Sequence, residues 1–450
     1  MGLSCPTCLG LQRRVAELRA QVDQLKQQLE EAHRAGKRQA APFAKGAPKK
    51  RPKKPGRKPG AEYGTKAHRE PPEHIDETLD APLPEVCPDC GGPIDETHIA
   101  QQYQVEIPRR PIHRQFQVHV GRCRDCHHRV QGRHPLQTSN ALGAAAAQLG
   151  PDTQAAIVDL NKHKGLSHPK VADCLKTLFG ITVTPSGVTH VIQRTAQRCR
   201  PIYQQLVHSM PSTPWTVPDE TGWRVGGHGA WLHAFVTAEQ TIYVVDPTRS
   251  SKVAEDLLGA AYDGILIHDG WAPYDRFDTL HQQCVQHLLR RCQHLLETAV
   301  GRAVRFPRQV MDILHAALAL RQRYLDREVS DHGLAIARSR LTNRLEALAT
   351  SSPKDAANKR LARHLLMHLP EWFTFLFLTE LDATNWRAEL AIRFGVILRK
   401  VWGGNRTWRG AEAQGILMSI WRTCWQRGLA AMEFLSHLLR DSLVTLPLPP

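Results

Sequence analysis

The sequence predicts a multidomain α/β protein, and three observations carry that expectation. First, the 450 residues are 42% hydrophobic, enough for two or three packed cores and too much for a wholly disordered chain. Second, the hydrophobic period changes along the chain. It is helical from about Ser139 to Ser209, strand-like from Pro214 to His268, and helical again beyond that. Third, a basic Pro/Gly-rich stretch and paired Cys-x-x-Cys motifs precede the periodic part. The most apolar run, Trp372 to Leu378, is far shorter than the roughly 20 residues of a spanning helix, so no membrane segment is expected. No apolar signal region opens the chain, and the eleven cysteines are an odd number. Both point to a reducing, cytoplasmic setting.

Residues 1–33 carry a heptad seam at Leu11, Val15, Leu18, Val22, Leu25 and Leu29. The reading is a coiled-coil-like helix for self-association, or one that docks its stripe on the rest of the chain. Residues 34–80 form a basic arm. Between 34 and 66, twelve Lys and Arg stand against Glu62 alone, a net +11 out of the chain's +16. Prolines and glycines deny that stretch a helix. Such an arm suits phosphate neutralisation, with Lys53, Lys54, Arg57 and Lys58 at its centre. The alternative is a solubilising linker.

Residues 81–135 hold Cys87-Pro-Asp-Cys90 and Cys123-Arg-Asp-Cys126, with 32 residues between them. Two such knuckles close a tetrahedral structural Zn²⁺ site, and His127 or His128 could replace one thiol. Alternation at Tyr103–Ile107 and Phe116–Val120 predicts a small ribbon joining them. Cys5 and Cys8 form a third, isolated pair whose role is open. In residues 136–212, Thr153–Lys164 and Lys170–Phe179 read as helices. Gly180 stops the second, and Ser186 caps a third that runs from Gly187 through Cys199. That order fits a helix-turn-helix-like DNA-binding segment or a plain bundle.

From Pro214 the order is strand, hairpin, strand, helix, strand. Asp219 ends the first strand and Asp269 follows the last, which would set the two carboxylates side by side at one sheet edge. Paired carboxylates suit Mg²⁺ or Mn²⁺ and phosphodiester chemistry without a covalent protein intermediate. A third carboxylate would come from Glu297, Glu328, Glu346, Glu371, Glu380 or Glu389. Glu389 has the best context: a helix capped at Thr384, followed by Arg393, Arg399 and Lys400, then a Gly403–Gly410 loop holding Arg406 and Arg409. Cys284, His287 and Arg290 share a helical face nearby. Trp402 and Trp408 are candidates for base stacking or for packing.

Taken in order, these segments resemble the transposases of the insertion sequence 66 family. The resemblance rests on the N-terminal leucine-rich helix, the Lys/Pro/Gly arm and the four cysteines. It continues through Asp219-Glu220-Thr221 with Trp231, His268-Asp269-Gly270-Trp271-Ala272-Pro273-Tyr274 and Cys284–Arg291. It closes on Thr384-Asn385 with Ala388-Glu389, Arg393, and Lys400 through Ala411. It implies a DDE enzyme with a ribonuclease-H-like mixed sheet at 213–284 and 381–410. An all-helical insertion at 285–380 interrupts that sheet, a small zinc ribbon and a helical DNA-binding segment precede it, and C-terminal helices at 411–450 follow. It makes Asp219, Asp269 and Glu389 the catalytic metal ligands. Cys87, Cys90, Cys123 and Cys126 become zinc ligands, and Arg393, Lys400, Arg406 and Arg409 DNA contacts. The partners implied are DNA, further copies of the chain and companion proteins of the same element. The chain departs from the family pattern at Trp386, Leu390 and His268, where Asn, Arg and Thr are usual. A non-catalytic zinc-dependent DNA-binding protein, or a nuclease of the same fold, is the alternative reading.

Overall fold

The computed structural model describes residues 72–93, 99–104, 110–143, 148–441 and 444–447, with residues 14, 18, 21 and 22. Residues 34–71 of the basic arm, with Lys53, Lys54, Arg57 and Lys58, lie outside the described residues, as do Cys5 and Cys8. Of the heptad seam, Leu18 and Val22 are described; both are helical and exposed. The chain divides into two compact units, Met1–Arg109 and Arg110–Pro450.

The second unit opens with a short antiparallel ribbon, β1 (Val120–Arg122) and β2 (Arg129–Gln131). It flanks the second cysteine knuckle rather than joining the two knuckles. Of the expected Phe116–Val120 strand only Val120 is in the ribbon, because Cys123–His128 supplies the tight turn that brings two three-residue strands together. Tyr103 and Gln104 have no regular structure, and 105–109 lie outside the described residues.

Three helices follow: α1 (Pro151–Lys162), α2 (His168–Phe179) and α3 (Pro185–Ser209). Gly180, at φ +68, closes α2 in the left-handed conformation that glycine adopts freely. The cap of α3 is Thr184 rather than Ser186: its hydroxyl accepts the Gly187 N–H at 3.0 Å, and Pro185 takes the first helical position. Lys162, at the end of α1, is buried. Its Nζ donates to Gln414 Oε1 at 2.5 Å and sits over the Trp402 ring. Burial pulls its ammonium down to about 7.

The sheet comprises β3 (Trp215–Val225), β4 (His228–Val236), β5 (Thr241–Asp246), β6 (Ile265–His268) and β7 (His281–Gln283), in the order β5-β4-β3-β6-β7. The first three form an antiparallel meander, while β6 and β7 run parallel to β3. Gly226 and Gly227, at φ +60 and +84, close the β3–β4 hairpin in two residues, where both central positions need positive φ. Helix α4 (Ser251–Leu258) makes the crossover from β5 to β6.

Both faces of the sheet are covered, so its strands alternate between two cores. Val217, Trp223, Leu232, Ala234, Tyr243 and Ile267 pack on α9 (Trp386–Trp402) and on the helices α5 (Val285–Thr298), α6 (Arg305–Leu325), α7 (Asp331–Thr350) and α8 (Ala356–Met367). Phe235, Ile242 and Leu266 face α1–α4, α10 (Trp408–Gln426) and α11 (Ala431–Arg440). The C-terminal helices are thus part of the core: α10 lies against β5 and α3, and α11 against α1.

Candidate active site

Asp219 lies within β3, not at its end; the strand runs through Asp219–Gly222 to Val225. Parallel pairing of β3 with β6 matches Trp215 to Ile265 and Thr216 to Leu266. The same offset carried forward sets Asp219 opposite Asp269, just past β6. Both carboxylates therefore belong to neighbouring central strands.

The pleat separates Asp219 from Glu220. Odd-numbered β3 residues Val217, Trp223 and Val225 lie on the α9 side, and Asp219 shares their parity. Glu220 points to the other face. There its side chain is 2% exposed and accepts from Arg249 Nε and Nη2 at 2.8 and 2.5 Å and from the Tyr274 hydroxyl at 2.9 Å. The Arg249 guanidinium is itself clasped between Trp231 and Trp271, at 5.0 and 4.7 Å from the ring centroids. Glu220 is thus a charge already compensated, and is not the third carboxylate. Arg249 was not legible in the sequence; the signal within reach was the pair of tryptophans in the motifs flanking Asp219 and Asp269.

Glu389 occupies the first turn of α9, which packs on β3 and β4. Asn385, not Thr384, is the residue at its N-cap. Burial, followed by the charges of Glu220, Asp269 and Glu389, pushes the Asp219 carboxyl up to about 7. Asp219 thus lies within the field of both other predicted carboxylates. Of the six candidates for the third, Glu389 alone contributes to the field at Asp219. They are not drawn together around one point, however: among the described residues no three His, Cys, Asp or Glu side chains are gathered closely enough to hold an ion. The Glu389 carboxylate is instead held by Arg290 of α5 at 2.7 Å, with His287 Nε2 at 3.6 Å. Cys284 is buried, and its sulfur accepts the Asn385 N–H at 3.5 Å. Cys284 and His287 therefore serve the α5–α9 contact. Asp219, Asp269 and Glu389 offer hard oxygen, the ligand class that Mg²⁺ and Mn²⁺ take.

Arg393, Lys400, Arg406 and Arg409 are all exposed. The loop bearing the last two is pinned to the hairpin: Asn405 N–H donates to the Arg224 carbonyl at 2.9 Å, and Trp223 Nε1 donates to Asn405 Oδ1 at 2.8 Å. Trp402 packs edge-on against Trp223, whereas Trp408 is 49% exposed.

The two cysteine knuckles are each formed alike. Gly91 N–H donates to the Cys87 carbonyl at 2.8 Å, and His127 N–H donates to the Cys123 carbonyl at 3.1 Å. Gly91 and His127, the fifth residue of each turn, are both left-handed, at φ +73 and +57. Backbone N–H groups of Asp89 and Cys90 lower the Cys87 thiol, and those of Cys126 and Asp125 lower that of Cys123. In each knuckle the turn's N–H groups thus lower the first thiol, towards the thiolate form that ligates zinc.

Helices on both faces of a mixed five-stranded sheet define an α/β protein. The family model described as "Transposase IS66 family" matches residues 146–413. The chain belongs to that family of transposases. No curated protein matches it.

Proposed function

We propose that the protein is a DDE-type DNA transposase in which Asp219, Asp269 and Glu389 hold Mg²⁺ or Mn²⁺ and DNA is cut at the ends of a mobile element. The observation that carries this reading is the strand register that sets Asp219 opposite Asp269, with Glu389 in the first turn of α9 packed on β3. The strand order, an antiparallel meander extended by two parallel strands, supports a ribonuclease-H-like core. Asp219, Asp269 and Glu389 would hold the ions, which would supply activation of water or a 3′-hydroxyl and neutralisation of the leaving oxygen. The protein's own groups prepare the site. Arg249 and Tyr274 hold Glu220 on the opposite face of β3 from Asp219. Arg290 pairs with the Glu389 carboxylate and would have to yield it to the ions. The exposed Arg393, Lys400, Arg406 and Arg409 neutralise DNA phosphates along α9 and its loop. Strand transfer into target DNA uses the same carboxylates with the freed 3′-hydroxyl as nucleophile.

We also infer one structural Zn²⁺ on Cys87, Cys90, Cys123 and Cys126, supported by the matching turns and lowered thiols of the two knuckles. The arm, the zinc module and α1–α3 would recognise the element ends, and the N-terminal heptads would join copies of the chain. Companion proteins of the same element belong to this reading too. Among the described residues no helix is long and apolar enough to cross a membrane, and a cytoplasmic setting completes the proposal.

The Arg290–Glu389 ion pair favours a second reading, a DNA-binding protein that no longer cuts. A labelled terminal-repeat duplex incubated with the protein and Mn²⁺ separates the two. Cleavage is expected from the parent and not from Asp269→Asn or Glu389→Gln. Binding without any cleavage by the parent, or cleavage by both variants, would refute the enzyme reading.

A further inference from the structure

The Asp269–Gly270 turn is anchored by hydrogen bonds that run away from the carboxylates into the interior. Gly270 N–H donates to His268 Nδ1 at 3.2 Å. A backbone N–H can only donate, so Nδ1 bears a lone pair and the ring proton sits on Nε2. His268 Nε2 lies 2.9 Å from His281 Nδ1, which must then accept. The far end of the chain gives the same answer. His281 Nε2 lies 3.0 Å from the Phe277 carbonyl, which can only accept, so His281 also carries its proton on Nε2. Both ends therefore assign one neutral tautomer to each ring. His268 is fully buried and His281 nearly so, which leaves no water to replace a lost partner.

A second support stands behind the turn. Gly270 is left-handed at φ +87, and a Cβ there would approach Gln283 Oε1 to 3.0 Å. Gln283 is buried, and its Nε2 donates to Glu371 Oε2 at 2.6 Å. Glu371 in turn meets His368 Nδ1 at 3.0 Å. Both come from the segment just beyond α8, so the helical insertion reaches under the turn. Strand β7 supplies His281 and Gln283 together.

We propose that His268 and His281, backed by Gln283, are positioning residues that fix the Asp269 carboxylate for ion binding. This rests on the reading of Asp269 as a metal ligand. Groups that orient a ligand typically change metal affinity about 10- to 100-fold when removed. His281→Leu deletes the acceptor and strands the His268 Nε2–H; His281→Asn keeps an acceptor near the position of Nδ1.

Mn²⁺ binding to the full-length protein without DNA, followed by loss of the free-ion EPR signal, gives a readout independent of activity. His281→Leu is expected to weaken binding about 10-fold or more, and His281→Asn to restore most of it. Folded His281→Leu that binds as tightly as the parent overturns the proposal, as does failure of His281→Asn to restore binding. If His281→Leu does not fold, His268→Asn, which still accepts from Gly270 but falls short of His281, is expected to weaken binding. Parent-level affinity in folded His268→Asn overturns the proposal equally. Asp269→Asn runs alongside: parent-level binding there refutes Asp269 as a ligand, a different failure from that of the positioning pair.

Discussion

Asp219 is held in a state it would not choose in water. Its carboxyl is raised to about 7, first by burial and then by Glu220, Asp269 and Glu389. A carboxyl whose folded-state pKa exceeds its unfolded value, 3.8, keeps its proton in the fold after the unfolded chain has lost it. Stability therefore falls as pH rises from about 4 to about 7. Asp219→Asn should remove that slope. In chelator, the variant is expected to melt above the parent, with a difference that grows between pH 4 and pH 7 and is then level, while cleavage is lost. Parallel melting curves across that range would count against the site's electrostatics. Lys162 has the opposite sign. Burial lowers it from 10.5 to about 7, so the parent gains stability as pH climbs between those values. Melting of Lys162→Met against the parent should show a gap that shifts in the parent's favour from pH 7 to pH 10. A gap that is constant with pH would contradict the burial of a charge there.

Among the elements, the β3–β4 hairpin and the loop after α9 are locked by one glycine. Gly404 sits at φ +114, and a Cβ on it would come within 2.4 Å of the Arg224 carbonyl oxygen. Gly404→Ala should cost about 1–3 kcal/mol through backbone strain alone, lower the melting temperature and weaken duplex binding by releasing Arg406 and Arg409. Unchanged stability and affinity would show that the loop is not pinned. The hairpin itself was legible in the sequence, since Gly226-Gly227 between alternating apolar runs admits little else. Strand β7 was not: His281-Gln-Gln is three polar residues, and only its buried place between β6 and the segment after α8 makes it a strand. The extent of β3 was also hidden. Asp219-Glu-Thr-Gly resembles a turn, yet the strand continues because Arg249 and Tyr274, distant in sequence, compensate Glu220. The α3 cap moved from Ser186 to Thr184 for a local reason, namely that proline favours the first helical position.

At the scale of the whole molecule, the sheet is covered on both faces, and the two faces do different work. One, the side of Asp219, meets the helical insertion and α9, which carries Glu389. The other meets α1–α4, α10 and α11, where Glu220 is neutralised and Lys162 ties α1 to α10. The proposed carboxylates Asp219, Asp269 and Glu389 rest on motif and family resemblance, with Glu389 preferred among six candidates for its basic, glycine-rich sequel. What the sequence did not contain was the second layer: Arg290 on Glu389, Arg249 on Glu220, and the histidine pair under Asp269. Such contacts join residues 13 to 99 positions apart, and no periodicity encodes them. The central claim is that three carboxylates now in electrostatic contact close around divalent ions. Anomalous diffraction from crystals of the protein grown with Mn²⁺ and a terminal-repeat duplex tests it most directly. The account predicts Mn²⁺ density bounded by Asp219, Asp269 and Glu389, with Arg290 displaced from Glu389. Density elsewhere, or none with Arg290 still paired to Glu389, would contradict it.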